Sequence, residues 1–315
     1  MRNPKTILIS AFLILLPFAA FGDTVVLKSG KTIEANLIEQ TDEKIKLNIN
    51  GVPITYYIDE INTINGNKVA VAKTIEGESN IKEFISRVNS AYYNLKKEGL
   101  KGFKCEVTIL SDIMRQTQNT IVSKYGANSK EAKALDSVKY FLIFDENGNH
   151  KVEYTPYEKT GNTAFDHDNE KIIQSGQGMI ASFCSGWKPF VFNAIFDEAS
   201  TINKIKETEN GFEIAYKNNG LDGTMILNKD FSAAQNVLMA GEQTVTSVYK
   251  FIQTPKGFLL RDAGMHTAEI KVTFMIEYQI IDGLELLKQV TSRTEDNNHE
   301  AAFTYNFSNY ELKRR

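Results

Sequence analysis

Apolar and polar residues alternate in short bursts from residue 24 to residue 64. Ile45, Leu47 and Ile49 are separated by Lys46 and Asn48, and a second alternating run at 52–58 follows Asn50-Gly51. A period of two puts successive side chains on opposite faces of a strand. Asn-Gly accepts the positive φ of a two-residue hairpin turn. With runs at 24–28 and 31–39, and a closing strand through Ile61 and Ile64, the pattern predicts five short strands. So few strands are expected to close on themselves as a small barrel, which removes exposed edges.

The rhythm changes near residue 79. Asn80 is placed to cap a helix, with Glu83 three residues on. Ile81, Phe84, Ile85, Val88, Tyr92 and Leu95 follow at spacings of three and four, and Gly99 is a natural stop. Alternation then returns at 103–110, 138–144, 151–157, 212–217, 224–228, 245–252, 258–261, 271–280, 284–292 and 303–307. The run at 271–280 is the cleanest, with Val272, Phe274, Ile276, Tyr278 and Ile280 on one side. Such strands, apolar on one face and wet on the other, predict an antiparallel sheet. Helical stretches interrupt it around 129–135 and 169–196. The expected fold class is therefore mainly β (α+β). A small N-terminal β-barrel at 23–70 is joined by a linker at 71–78 to a curved antiparallel sheet, a half-barrel covered by helices, at 79–315.

The first residues read as a leader. Arg2 and Lys5 precede an apolar run from Ile7 to Phe21, and Ala20-Phe21-Gly22 offers the small residues of a cleavage site. Residues 1–22 are expected to act as a signal peptide, cleaved between Gly22 and Asp23, which predicts a periplasmic or secreted mature protein. Without Arg2 and Lys5 the chain keeps 34 basic against 39 acidic residues, a net charge of −5. That balance gives no reason to expect nucleic acid as a partner, and no later apolar stretch is long enough to span a membrane.

Two resemblances follow from these segments. The stretch 23–34 (Asp-Thr-Val-Val-Leu-Lys-Ser-Gly-Lys-Thr-Ile-Glu), with the Asn50-Gly51 hairpin and Asp59-Glu60-Ile61, resembles the SH3-like or Sm-like small barrels that open many exported bacterial proteins. The helix near 80, the central apolar helices and the closing segment Tyr278-Gln279-Ile280-Ile281-Asp282-Gly283-Leu284 resemble the LolA/LolB-type lipoprotein carriers of the bacterial envelope. Their fold, a curved half-barrel plugged by helices, would span about 79–315. The arginine with which those carriers hold their lid has no counterpart here. The resemblance implies a lipid or a lipidated protein as partner. The alternative is an envelope scaffolding module that holds a protein partner through its N-terminal barrel and has no ligand cavity.

Candidate chemistry is sparse. Phe103, Val107, Ile109, Phe274, Ile276 and Tyr278 share apolar strand faces, as do Phe303, Tyr305 and Phe307. Together they can line a concavity for an acyl chain, covered by Trp187 and Phe190, or else form an ordinary core. Cys105 and Cys184 are the only cysteines. An even count permits one disulfide, while Cys105 equally suits a buried thiol among Phe103, Val107 and Ile109. His167, between Asp166 and Asp168, is expected in a solvated turn. Cys184 and His266 lack the flanking pattern of a thiol protease. No phosphate-binding glycine loop and no zinc spacing is present. No cofactor and no enzymatic activity are expected.

Overall fold

A computed structural model describes residues 22–41, 44–69, 73–296 and 299–314. Residues 1–21 of the expected signal peptide, 1–22, lie outside the described residues. The chain divides into two compact units, Met1–Ala72 and Lys73–Arg315. Both are built largely of antiparallel strands, so the mainly β expectation holds at that level.

The first unit contains β1 (Asp23–Leu27), β2 (Thr32–Gln40), β3 (Lys44–Ile49), β4 (Val52–Tyr57), β5 (Ile61–Ile64) and β6 (Asn67–Lys68). They pair in the order β4-β3-β2-β1-β5-β6. Asn50 and Gly51 both take positive φ (53° and 88°), as the hairpin between β3 and β4 requires. Val25, Ile33, Ile45, Leu47 and Ile61 form its core. Among the described residues no pairing joins β4 to β6, so the order is open where closure was expected. As a result Val52 and Ile54, which lie opposite Ile49 and Leu47, remain 57% and 37% exposed.

The second unit begins earlier than the expected linker allows. Lys73–Ile75 is a strand, β7. The first helix, α1, spans Glu78–Ser90, starts after Gly77 and ends well before Gly99. Asn80 donates its side-chain amide to the Glu76 carbonyl at 2.8 Å rather than accepting as a cap. Tyr92 and Leu95 share the helix periodicity but lie beyond it. Tyr93 N instead donates to the Phe258 carbonyl, and Phe258 N to that of Ala91.

The remaining elements are β8 (Leu100–Ser111), α2 (Asp112–Tyr125), α3 (Lys130–Asp136), β9 (Tyr140–Phe144), β10 (His150–Tyr154) and α4 (Thr163–Trp187). Then come β11 (Ser200–Thr208), β12 (Gly211–Asn218), β13 (Leu221–Asn228), β14 (Ala233–Ala240), β15 (Gln243–Thr254) and β16 (Gly257–His266). The last three are β17 (Ile270–Ile281), β18 (Leu284–Asp296) and β19 (Glu300–Arg314). Among the described residues thirteen strands form one sheet in the order β10-β9-β8-β19-β18-β17-β16-β15-β14-β13-β12-β11-β7, and no pairing closes it.

One continuous core joins α1, α4 and one face of this sheet. Phe84 and Val88 enter it from α1, and Ile173, Ile180, Phe183 and Trp187 from α4. The Trp187 indole donates to Tyr278 Oη at 3.0 Å, and Tyr278 donates to the Leu260 carbonyl at 2.7 Å. The pairing of β17 with β18 shifts register after Glu277, with Lys288 of β18 as the extra residue, and Ile280 is 71% exposed where alternation placed it with the core.

Burial of tyrosines gives this core a pH limit. It pushes the hydroxyls of Tyr93 and Tyr140 up to about 12, and those of Tyr92, Tyr278 and Tyr305 higher still. A raised folded-state value stabilises the neutral form. That contribution is complete below the ordinary tyrosine value near 10 and is lost as pH rises through the shifted ones. An alkaline titration followed at 295 nm should show these tyrosines ionising only together with loss of the far-UV circular dichroism. Ionisation of all of them near pH 10 in an intact fold would contradict the burial.

Candidate functional site

β8 presents two chemically different faces. Val107 and Ile109 point into the core, so Glu106, Thr108 and Leu110 point the other way. On the neighbouring strand Thr304 lies opposite Leu110, which puts Thr304 and Ala302 on that same second face. The strand ends at Ser111, whose Oγ accepts from Met114 N at 3.0 Å and caps α2. The helix then contacts both β8 and β19. Gln118 Nε2 donates to the Ala132 carbonyl at 2.8 Å, tying α2 to α3.

A pocket of about 670 Å³ opens between these elements. Leu110, Met114, Leu135, Val138 and Ala302 supply apolar lining, while Thr108, Thr304, Gln118 and Asn119 supply hydroxyl and amide groups. Leu110 is 54% exposed there.

Two ion pairs belong to the lining. Lys139 Nζ lies 3.1 Å from Glu106 Oε1, and Asn309 Nδ2 donates to Glu106 Oε2 at 3.1 Å. The Lys139 and Asn309 hydrogen bonds hold the Glu106 carboxyl below the usual glutamate value. Asp112 and Arg115 form the second pair within the first turn of α2. Among the described residues no three His, Cys, Asp or Glu side chains converge as a metal site would need. The arrangement is suited to binding by apolar contact and hydrogen bonding.

The residues nominated from sequence come together, but as packing. Phe103, Val107, Ile109, Trp187, Phe190, Ile276, Tyr305 and Phe307 are buried in the main core, and Phe274, Tyr278 and Phe303 are partly buried against it. Phe183 of α4 meets Phe274 and Phe307 with ring centroids 5.5 and 6.5 Å apart. These are contacts of packed side chains. Of the nominated set only Val107 and Ile109 also border the pocket. Cys105 and Cys184 are both buried and both free, so the disulfide that the count permits is not made in this structure. His167 lies on α4 rather than in a turn, and its side chain is exposed. His266 is exposed on β16 while Cys184 is fully buried, an arrangement with no catalytic pairing.

The chain matches no family model, no curated protein and no solved structure.

Sequence reasoning missed Leu110, Met114, Leu135 and Ala302. The alternation in β8 marks their face only as the one turned away from the core, and α2 was not anticipated. The available signal was Ser111, a capping residue directly after a strand and before Ile113, Met114, Ile121 and Val122.

Proposed function

We propose that the protein is exported, loses residues 1–22, and serves in the cell envelope as a non-enzymatic binder of a lipid or of the acyl group of a lipidated protein. The observation carrying this reading is the pocket between α2, β8 and β19. Its volume of about 670 Å³ falls within the range of small-molecule sites, and its lining is apolar with a few polar groups. In this reading the first unit is a relative of the SH3-like small barrels whose strand order is left open between β4 and β6. The second has the LolA-like layout of a curved half-barrel plugged by helices. Its aromatic interior is packing, and the ligand sits at the pocket instead.

Native mass spectrometry of protein isolated gently from an envelope extract tests both parts. The expected result is a chain beginning at Asp23 that carries a molecule of acyl-lipid mass. A chain that retains Met1, carries no such molecule and fails to bind a fluorescent fatty-acid probe would end the proposal.

The scaffolding alternative draws on the first unit, where Val52, Ile54 and Tyr57 are exposed on β4, which among the described residues is an end strand paired on one side only. Loss of a protein partner in a V52T/I54T variant that keeps its acyl ligand would favour it.

A further inference from the structure

The charges around the pocket restrict which amphiphile it takes. Glu106, Lys139, Asp112 and Arg115 all belong to its lining. They form two opposite-charge pairs, so the site carries no net charge. The pairs differ in exposure: the Glu106 and Lys139 side chains are 17% and 57% exposed, whereas those of Asp112 and Arg115 are 79% and 73% exposed.

A head group bearing one charge must draw a partner away from one of these pairs. It would leave the other member uncompensated, which is most costly beside Glu106, where little water can replace the lost contact. A head group carrying both signs meets no such obstacle. Its cation can approach Glu106 while its anion approaches Lys139 or Arg115, so each charge exchanges one charged hydrogen-bond partner for another. Resting on the acyl-binding reading above, we propose that the pocket selects a single-chain amphiphile with a zwitterionic head group, the chemistry of an amine-bearing lysophospholipid. The chain would lie against Leu110, Met114 and Ala302.

Binding of four monomeric amphiphiles with sixteen-carbon chains to the full mature protein tests this by calorimetry. They are palmitoyl lysophosphatidylethanolamine, palmitoyl lysophosphatidylglycerol, palmitate and cetyltrimethylammonium. The expected result is at least tenfold tighter binding of the zwitterion than of any singly charged probe. Glu106→Gln should narrow the gap to the two anions, and Lys139→Met should narrow the gap to the cation. Ala302→Trp should abolish binding by filling the pocket, with an unchanged unfolding midpoint showing that the variant is folded.

Equal binding of all four probes, or tightest binding of a singly charged one, would overturn the zwitterion assignment while leaving acyl binding standing. Zwitterion binding that persists in a folded Ala302→Trp variant would overturn the location. Failure of all four to bind would remove the acyl-binding reading itself, and this inference with it.

Discussion

Replacing Trp187 with alanine is expected to destabilise the second unit by about 3–5 kcal/mol, the usual cost of emptying a buried aromatic site. Trp187 is among the largest fully buried side chains, packed edge-on to Phe144 and stacked on Phe183. Its loss also removes the donor to Tyr278 Oη, which anchors the last turn of α4 to β17. Domains of this kind hold only about 5–15 kcal/mol in total, so the change consumes much of the margin. Urea unfolding followed by far-UV circular dichroism gives the measurement, since the variant lacks the only tryptophan. Trp187→Phe should recover most of the loss, leaving about 0.5–1.5 kcal/mol for the missing hydrogen bond. His167→Ala, on an exposed face of the same helix, should stay within about 0.5 kcal/mol. An alanine variant at 187 that unfolds like the parent would mean this core does not hold the unit together.

Gly257→Ala is expected to be nearly as damaging, for a backbone reason. Gly257 has φ +119°, and a Cβ there would lie 2.7 Å from the Ala91 carbonyl oxygen and 2.8 Å from backbone atoms of Tyr92 and Tyr93. The conformation alone costs a side-chain-bearing residue about 1–3 kcal/mol. The clash adds to this, because main chain, not a flexible side chain, would have to give way. The strain falls where Tyr93 N meets the Phe258 carbonyl at 2.9 Å and Phe258 N meets that of Ala91 at 2.8 Å, the contacts joining the end of α1 to β16. Gly283→Ala provides the control, since Gly283 also has positive φ (75°) but nothing within 4 Å of the added carbon. Thermal melts should place Gly257→Ala clearly below Gly283→Ala. Equal melting temperatures would show that the backbone wall yields freely.

What could be read in advance depended on whether local pattern and tertiary role coincide. β17, β18 and β19 were legible as strands, although alternation fails at Ile280 and β19 runs well beyond the expected 303–307. β11 escaped notice because a register shift between Ile202 and Lys204 breaks its rhythm, and β14 because it mixes small alanines with the buried polar Asn236. The helix near residue 80 was legible, but its end was not. Tyr92 and Leu95 keep the helical spacing, yet the backbone beyond Ala91 is drawn off by β16, a contact more than 160 residues away in the chain. Closure of the first unit was inferred from strand count, which says nothing about whether β4 and β6 meet. The site was the least legible part. A row of aromatics on one strand face looks the same in sequence whether it lines a cavity or packs a core, and the contacts of Phe183 with Phe274 and Phe307 depend on α4. Glu106, Thr108 and Leu110 read as an ordinary wet face until α2 folds back over it.

The position of β19 bears on how the chain can reach its native state. The last strand lies in the sheet interior, between β8 and β18, with Arg314 opposite Leu100. A chain made from its N-terminus can form β8–β10 as one group and the β11–β18 meander as another. The two become a single sheet only when the final fifteen-residue strand inserts between them. Until then β8 and β18 each present an unpaired edge, the kind of template on which other chains add and aggregate. Pairing over so long a sequence separation is intrinsically slow. A ribosome that stalls before residue 300, or a protease that removes 300–314, would therefore leave two halves with sticky edges, and synthesis of β19 acts as the checkpoint for assembly of the sheet.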